Sequence, residues 1–277
     1  MSSQVSFEQE TDLIGRAQQG DGLAFDSLIE PLRRPLFSYI YRMVTNRSDA
    51  EDLLQDTLVR ALESLPRFRG EAKFKTWLFG IATHVCLDHL RSRKRWSIEA
   101  QLEGEREVDA SSEQLERLSS LMSRPDFLFE IREHIAFCFS CISRSLHPEE
   151  QAAIMLKEVL GLTAQEAAAV MEVSEPIFRH RLSAARSQMT RSYEGLCQLI
   201  NKTGLCHQCQ GLREFAPENH RGADLIQITV AQGKNVTPDA LFDARLEIVR
   251  KSNLAEGPMR EMHDWFFDGM DQKESRA

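Results

Sequence analysis

Residues 49–96 read DAEDLLQDTLVRALESLPRFRGEAKFKTWLFGIATHVCLDHLRSRKRW and place three kinds of chemistry in one short unit. Asp49, Asp52, Asp56, Arg60 and Glu63 fall on one stripe of a helix, with three carboxylates at its start. Acids there also suit the positive end of the helix dipole, which needs no partner to explain it. A loop from Pro66 to Lys75 carries Phe68 and Phe74 among Arg67, Arg69, Lys73 and Lys75. Aromatic rings can take stacked bases, and basic side chains can hold phosphates. A second helix ends in Arg91, Arg93, Lys94 and Arg95.

The elements that position these residues follow from apolar spacing. Leu54, Leu58, Ala61 and Leu65 give the first helix a buried stripe, and Pro66 punctuates it. Thr76 is a good N-cap for the second, which is expected to bury Leu78, Ile81, Ala82 and Val85.

The run from Ala50 to Arg95 resembles domain two of bacterial extracytoplasmic-function (ECF) sigma factors, because helix, loop and helix agree in order and spacing. The resemblance implies that the acidic helix docks on core RNA polymerase through Asp49, Asp52, Gln55 and Asp56. It also implies a minus-ten element surface of Phe68, Arg69, Lys73, Thr76, Trp77, His84, Asp88 and Arg91. There the loop would capture a flipped base and the helix would read adjoining duplex. Opening DNA costs stacking energy, which an aromatic pocket and phosphate contacts can offset. His84 departs from the family, which often has Asn at that position.

The whole chain has 277 residues, 42% hydrophobic and 27% charged, with net charge -8. That acidity argues against indiscriminate DNA binding but allows local basic patches. The opening MSSQVSFEQETDLIG lacks a basic region followed by an apolar run, so no signal peptide is expected. No apolar stretch is long enough to span a bilayer. A cytoplasmic location is expected, with the six cysteines as thiols or metal ligands rather than structural disulfides.

In chain order, TDLIGRAQQG predicts a short helix closed by Gly20. Leu23, Phe25, Leu28 and Ile29 form an apolar face before Pro31, and Leu36 to Val44 begin another helix. Residues 1–96 are therefore read as one all-helical domain. Residues 97–126 carry eight acids and three bases, a local charge of -5, and read as an acidic, solvated linker. In the resembled family such a linker threads through the polymerase.

Residues 127–195 form a second helical domain. Ile131, Ile135, Cys138 and Ile142 keep helical spacing, and Pro148 suits a helix start. Thr163 with Glu166 is a capping box, and a turn through Glu172 to Ser174 leads to a helix bearing Arg179, His180, Arg181 and Arg186. This is a helix-turn-helix pattern. After a sigma-like first domain it resembles sigma domain four, which implies that these four basic residues face the minus-thirty-five element. The family commonly has a small residue, then Thr, Val and Lys, where this chain has Pro176, Ile177, Phe178 and Arg179.

Residues 196–277 extend beyond a minimal factor of this kind. Cys206 and Cys209 form one C-x-x-C, and Cys138 and Cys141 form another on a predicted helix. Together these four could complete a tetrahedral zinc site, with His134, Cys197 and His207 as rival ligands. Buried thiols acting as small hydrophobes, and a regulatory disulfide, remain open beside it. Ile226, Ile228 and Val230 alternate as a short strand would, Pro238 starts a helix, and Met262, Trp265, Phe266 and Phe267 suit packing on the earlier domains. The expected fold is all-α, two helical domains with a small mixed extension.

The function implied is promoter recognition for core RNA polymerase, needing no cofactor, with promoter DNA and an anti-sigma factor as further expected partners and no membrane insertion. A free-standing helix-turn-helix regulator would explain residues 163 to 191 only. No Gly-rich phosphate loop, nucleophile motif or dense carboxylate pair suggests an enzyme, and no catalytic residues are expected.

Overall fold

The structure is a computed structural model that describes residues 7–197, 206, 208–222 and 237–276. The described chain is all-helical apart from one isolated bridge between Cys197 and Cys206. The expected strand at Ile226 to Val230, and His207, lie outside the described residues.

Four helices build the first unit: α1 (Phe7–Gln18), α2 (Gly22–Val44), α3 (Arg47–Ser64) and α4 (Phe74–Arg91). Gly20, at φ +92°, makes the turn between α1 and α2 that a side chain would resist. Asp21 then caps α2 by accepting from Ala24 N–H at 3.1 Å. The helix break expected at Pro31 does not occur. α2 runs through Pro31 and Pro35 as one helix. Its apolar face continues on both sides of the prolines, through Phe25, Leu28 and Ile29 and then Leu36, Tyr39 and Ile40, all buried. That burial outweighs a proline penalty of about 3 kcal/mol. A second correction concerns Thr76. α4 begins two residues earlier at Phe74, with Lys73 in the cap position, and Thr76 is buried inside the helix. Phe74 is itself 2% exposed, so packing starts the helix before the hydroxyl could cap it.

Residues 97–126 are not a solvated linker. They form α5 (Ala100–Asp109) and α6 (Ser112–Met122), with Ser111 capping α6 through Gln114 N–H. Leu102, Val108, Leu118 and Met122 are buried, Glu103 and Glu105 are half-buried, and the other acids are exposed.

The second unit comprises α7 (Ile131–Ser143), α8 (Pro148–Ile154) running into a π turn (Met155–Val159), α9 (Ala164–Val170) and α10 (Glu175–Leu196). Both halves of the Thr163–Glu166 capping box are present. The tail adds α11 (Gln208–Phe215), α12 (Pro238–Lys251) and α13 (Arg260–Arg276).

One continuous core joins all of these elements. Gln151 of α8 donates to Met43 O of α2 at 2.9 Å, fully buried. Trp96 N–H donates to Arg144 O at 3.2 Å, and the Arg144 guanidinium lies 5.3 Å over the Trp96 ring. Phe267 of α13 meets Tyr41, Trp96 and Phe137, one ring from each of three separate stretches. Truncating that ring to Ala would remove about 3–5 kcal/mol of packing.

Candidate nucleic-acid interface

Asp52, Gln55 and Asp56 are exposed on α3, opposite buried Leu53, Leu54 and Thr57. Asp49 departs from that outer face. It is half-buried, 2.8 Å from Arg93 Nη2 and 3.4 Å from His89 Nε2. It joins the start of α3 to the basic end of α4, and burial holds the His89 pKa below its ordinary value.

Phe68, Phe74 and Trp77 form one aromatic group, with ring centroids 4.9 to 6.1 Å apart. Phe74 is its buried member and Thr76 is buried on α4, while Arg69, Lys73 and Lys75 are exposed. Gln18 fixes the start of this loop from α1. Its Nε2 donates to Leu65 O at 3.1 Å and Phe68 O at 2.8 Å. Sequence reasoning missed Gln18, because a lone amide in a polar helix end carries no spacing signal.

A groove of about 1360 Å³ opens along this aromatic group. One wall holds Phe68, Arg69, Lys73, Trp77 and His84; the other belongs to the helix-turn-helix, through Glu166, Val170 and Glu172. His84 Nε2 lies 2.9 Å from Val170 O and 3.9 Å from a Glu172 carboxylate oxygen. Gly80 faces α9, where even a Cβ would make only ordinary contact with Val170 at 3.8 Å. Farther along α4, Asp88 is exposed and pairs with Arg91 at 3.3 Å, and Arg91 reaches Glu149 of α8 at 3.1 Å. Phe68, Arg69, Lys73, Thr76, Trp77 and His84 of the expected minus-ten set thus line one groove, whereas Asp88 and Arg91 lie outside it; His84 and Arg91 contact the second unit.

In the helix-turn-helix, Glu172 takes φ +53° at the turn between α9 and α10. Buried Phe178 anchors α10. Arg179 and His180 are exposed and Arg181 half-buried, with Arg179 Nε donating to Glu175 at 2.8 Å. Arg186 is separated from them in role. It donates to Glu158 and to Asp243 of α12, both at 2.6 Å, and lies over the Phe242 ring. A cleft of about 640 Å³ lies between α10 and the start of α12 at Pro238 and Asp239.

Among the cysteines, Cys138 and Cys141 are buried on α7, Cys197 is buried at the end of α10, and Cys206 and Cys209 are half-buried. Burial pushes the Cys206 thiol up to about 12 and holds Cys209 well above its ordinary value. Among the described residues no three His, Cys, Asp or Glu side chains stand ready as a metal-binding group. Also among them, no helix is long and apolar enough to cross a membrane.

Comparison with known proteins fits this geometry. The sigma-70 region 2 family matches residues 28–96, and sigma-70 region 4 matches residues 137–189. The chain is 34% identical over 176 residues to the ECF RNA polymerase sigma factor SigG of Mycobacterium tuberculosis, covering 60% of this chain and 47% of that protein, so it spans about half of that relative's length. It is 30% identical over 191 residues to the ECF RNA polymerase sigma-E factor of Salmonella typhimurium, covering 68% of this chain and 97% of that protein. A solved structure of CnrH in complex with the cytosolic domain of CnrY aligns at TM-score 0.43 and 24% identity, covering 66% of this chain and 95% of that one. On the near-complete coverage of the sigma-E factor and the two regional matches, the chain belongs to the ECF family of RNA polymerase sigma factors.

Proposed function

We propose that this protein binds core RNA polymerase, directs it to a promoter and helps to open the strands. The observation that carries the reading is the aromatic group of Phe68, Phe74 and Trp77, with exposed Arg69, Lys73 and Lys75 in the same stretch. Asp52, Gln55 and Asp56 would hold the polymerase, with Asp49 bracing the base of that face. A base leaving the duplex gains stacking on the aromatic group, and its phosphates gain the surrounding cations. His84, Asp88 and Arg91 would meet the adjoining duplex once α9 and α8 move off them. Arg179, His180 and Arg181 would enter the major groove upstream, where arginine can pair bidentately with guanine or clamp a phosphate.

In this reading residues 1–96 serve the polymerase and the minus-ten element, 127–195 serve the minus-thirty-five element, and 196–277 regulate. The protein acts by binding, without bond-making, in the cytoplasm where the polymerase works. Binding needs no cofactor, and a zinc ion on the cysteines would be structural. An anti-sigma factor would be a further partner.

Transcription in vitro tests the proposal. Purified protein and core polymerase are offered a pool of genomic promoters, and transcripts are sequenced. Discrete start sites sharing two spaced elements are expected. Duplex binding by the protein alone, without core-dependent transcripts, would instead mark a free-standing regulator.

A further inference from the structure

Arg186 of α10 is one of the four basic residues expected at upstream duplex, but its guanidinium is shared between two carboxylates. Nη1 donates to Glu158 Oε1 of the second unit and Nη2 to Asp243 Oδ1 of α12, each at 2.6 Å. The two acceptors differ in burial: the Glu158 side chain is 12% exposed and that of Asp243 61%. One arm of Arg186 is therefore anchored inside its own unit. The other is taken by an exposed acid of the tail. The ring of Phe242, next to that acid in sequence, has its centroid 5.1 Å from the guanidinium.

The same side of α10 carries further groups that suit phosphate. Arg179, Ser183, Arg186, Ser187, Thr190 and Arg191 line one cleft, spaced by three or four residues as one helix face requires. Guanidinium and hydroxyl groups all donate hydrogen bonds, and such donors make most phosphate contacts in protein–DNA complexes. The Thr190 hydroxyl is buried and has no hydrogen-bond partner among the described residues. The facing wall is the start of α12, at Pro238 and Asp239. Apolar packing holds α12 there: Phe242, Leu246 and Val249 are buried, and the Phe242 and Tyr193 ring centroids lie 6.1 Å apart. At the far end of α12, Arg250 Nη2 donates to Glu158 Oε2 at 3.1 Å. So α10 offers three arginines where the start of α12 offers two acids, Asp239 and Asp243.

We propose that the start of α12 shields the phosphate-facing side of α10, with Asp239 and Asp243 standing where DNA phosphates would lie. A carboxylate and a phosphate accept from the same guanidinium arm, so they compete for it. Duplex gains Arg186 only when the start of α12 gives way, and Glu158 keeps the released guanidinium oriented. The shield lowers indiscriminate duplex binding by the free protein, because that binding comes from phosphate contacts. The inference rests on reading α10 as the helix that meets duplex DNA, and it gives the regulatory tail one defined contact.

The test uses the full chain and a fluorescent duplex of random sequence, since phosphate contacts need no particular promoter. Asp239→Asn with Asp243→Asn, both at exposed positions, should bind about 10-fold tighter than the parent by anisotropy. Its affinity should also fall more steeply with salt, by about one unit of slope. Glu113→Gln with Glu116→Gln makes the same change in net charge on exposed positions of α6 and should leave affinity near the parent's. Adding Arg186→Gln, which keeps a donor for Glu158, should cancel the gain. Amide exchange in the parent should quicken at the start of α12 when duplex is added. Circular dichroism checks the fold of each variant. Equal tightening by both double variants would overturn the shield and leave a net-charge effect. A gain that survives Arg186→Gln would overturn it too, as would unchanged or slower exchange at the start of α12 on bound duplex. Transcription by the parent with core polymerase is scored separately. Start sites there, with no gain in the variant, would remove the shield and leave promoter recognition standing; no start sites and no duplex binding by any variant would remove both.

Discussion

Arg47 Nε donates to Asp264 Oδ2 at 2.7 Å, which ties the first turn of α3 to α13. Asp264 also accepts from the Tyr41 hydroxyl, and Arg47 Nη2 donates to Ala255 O at 2.9 Å. Asp264→Ala would leave a largely buried hydroxyl and a half-buried guanidinium without this acceptor. The expected cost is about 2 kcal/mol, with faster amide exchange in α13 than elsewhere. Hydrogen-exchange mass spectrometry checks it; uniform protection across α13 in the variant would mean that the pair does not hold the tail.

Asp52 and Asp56 are exposed on α3, so reversing their charge should spare the fold. Asp52→Arg with Asp56→Arg should change stability by only about 0.5 kcal/mol, the usual range for surface positions. Binding to core polymerase, read by co-purification, should be lost. Retained holoenzyme assembly would move the docking surface elsewhere.

Much of this arrangement is legible in the sequence where a local rule and the packing agree. The capping box of Thr163 and Glu166 fixes the start of α9 because both hydrogen bonds are local. Likewise Ile131, Ile135 and Ile142 show the buried face of α7. Local rules fail where distant packing decides. Pro31 signals a stop, yet the buried face of α2 carries the helix through it. Thr76 signals a cap, yet the burial of Phe74 starts α4 earlier. The acidic stretch after Trp96 reads as solvated because its few apolar residues lack a visible partner; that partner is α13, far away in sequence. Within the candidate site, spacing places Asp49 with Asp52 and Asp56, but only the fold brings Arg93 onto it.

Arg179 is exposed on α10 and Arg181 half-buried, and among the described residues Arg179 pairs with Glu175 one turn earlier. Arg179→Ala or Arg181→Ala should lower promoter-dependent transcription while leaving core binding intact. A bidentate guanine contact would cost about 1–3 kcal/mol and relax one promoter position, whereas a phosphate contact would lower the salt slope by about one unit. Transcription on a promoter library at two salt concentrations separates them. Equal loss of core binding would indicate misfolding.

Glu133 gives the pH dependence its sign. It is 5% exposed on α7, with Oε2 accepting from Met259 N–H at 3.3 Å and Oε1 lying 3.4 Å from His263 Nδ1. Burial pushes the Glu133 pKa from 4.5 up to about 7, although Met259 N–H and nearby Arg260 favour its charge. Burial likewise pushes His263 down to about 3, so the fold prefers both groups neutral despite their contact. The stabilisation from Glu133 is therefore fully present below its ordinary pKa and is lost as pH rises through about 7. That from His263 is present above 6.5 and lost as pH falls toward 3, so between 4.5 and 6.5 both are partly lost and their pH dependences run in opposite directions. Glu133→Gln keeps a polar group of the same shape but cannot ionise. Relative to the parent it should gain little near pH 4 and on the order of 3 kcal/mol at pH 8. Urea denaturation at both pH values measures the difference. An equal effect at both would mean that Glu133 is ionised throughout and paired with a His263 imidazolium.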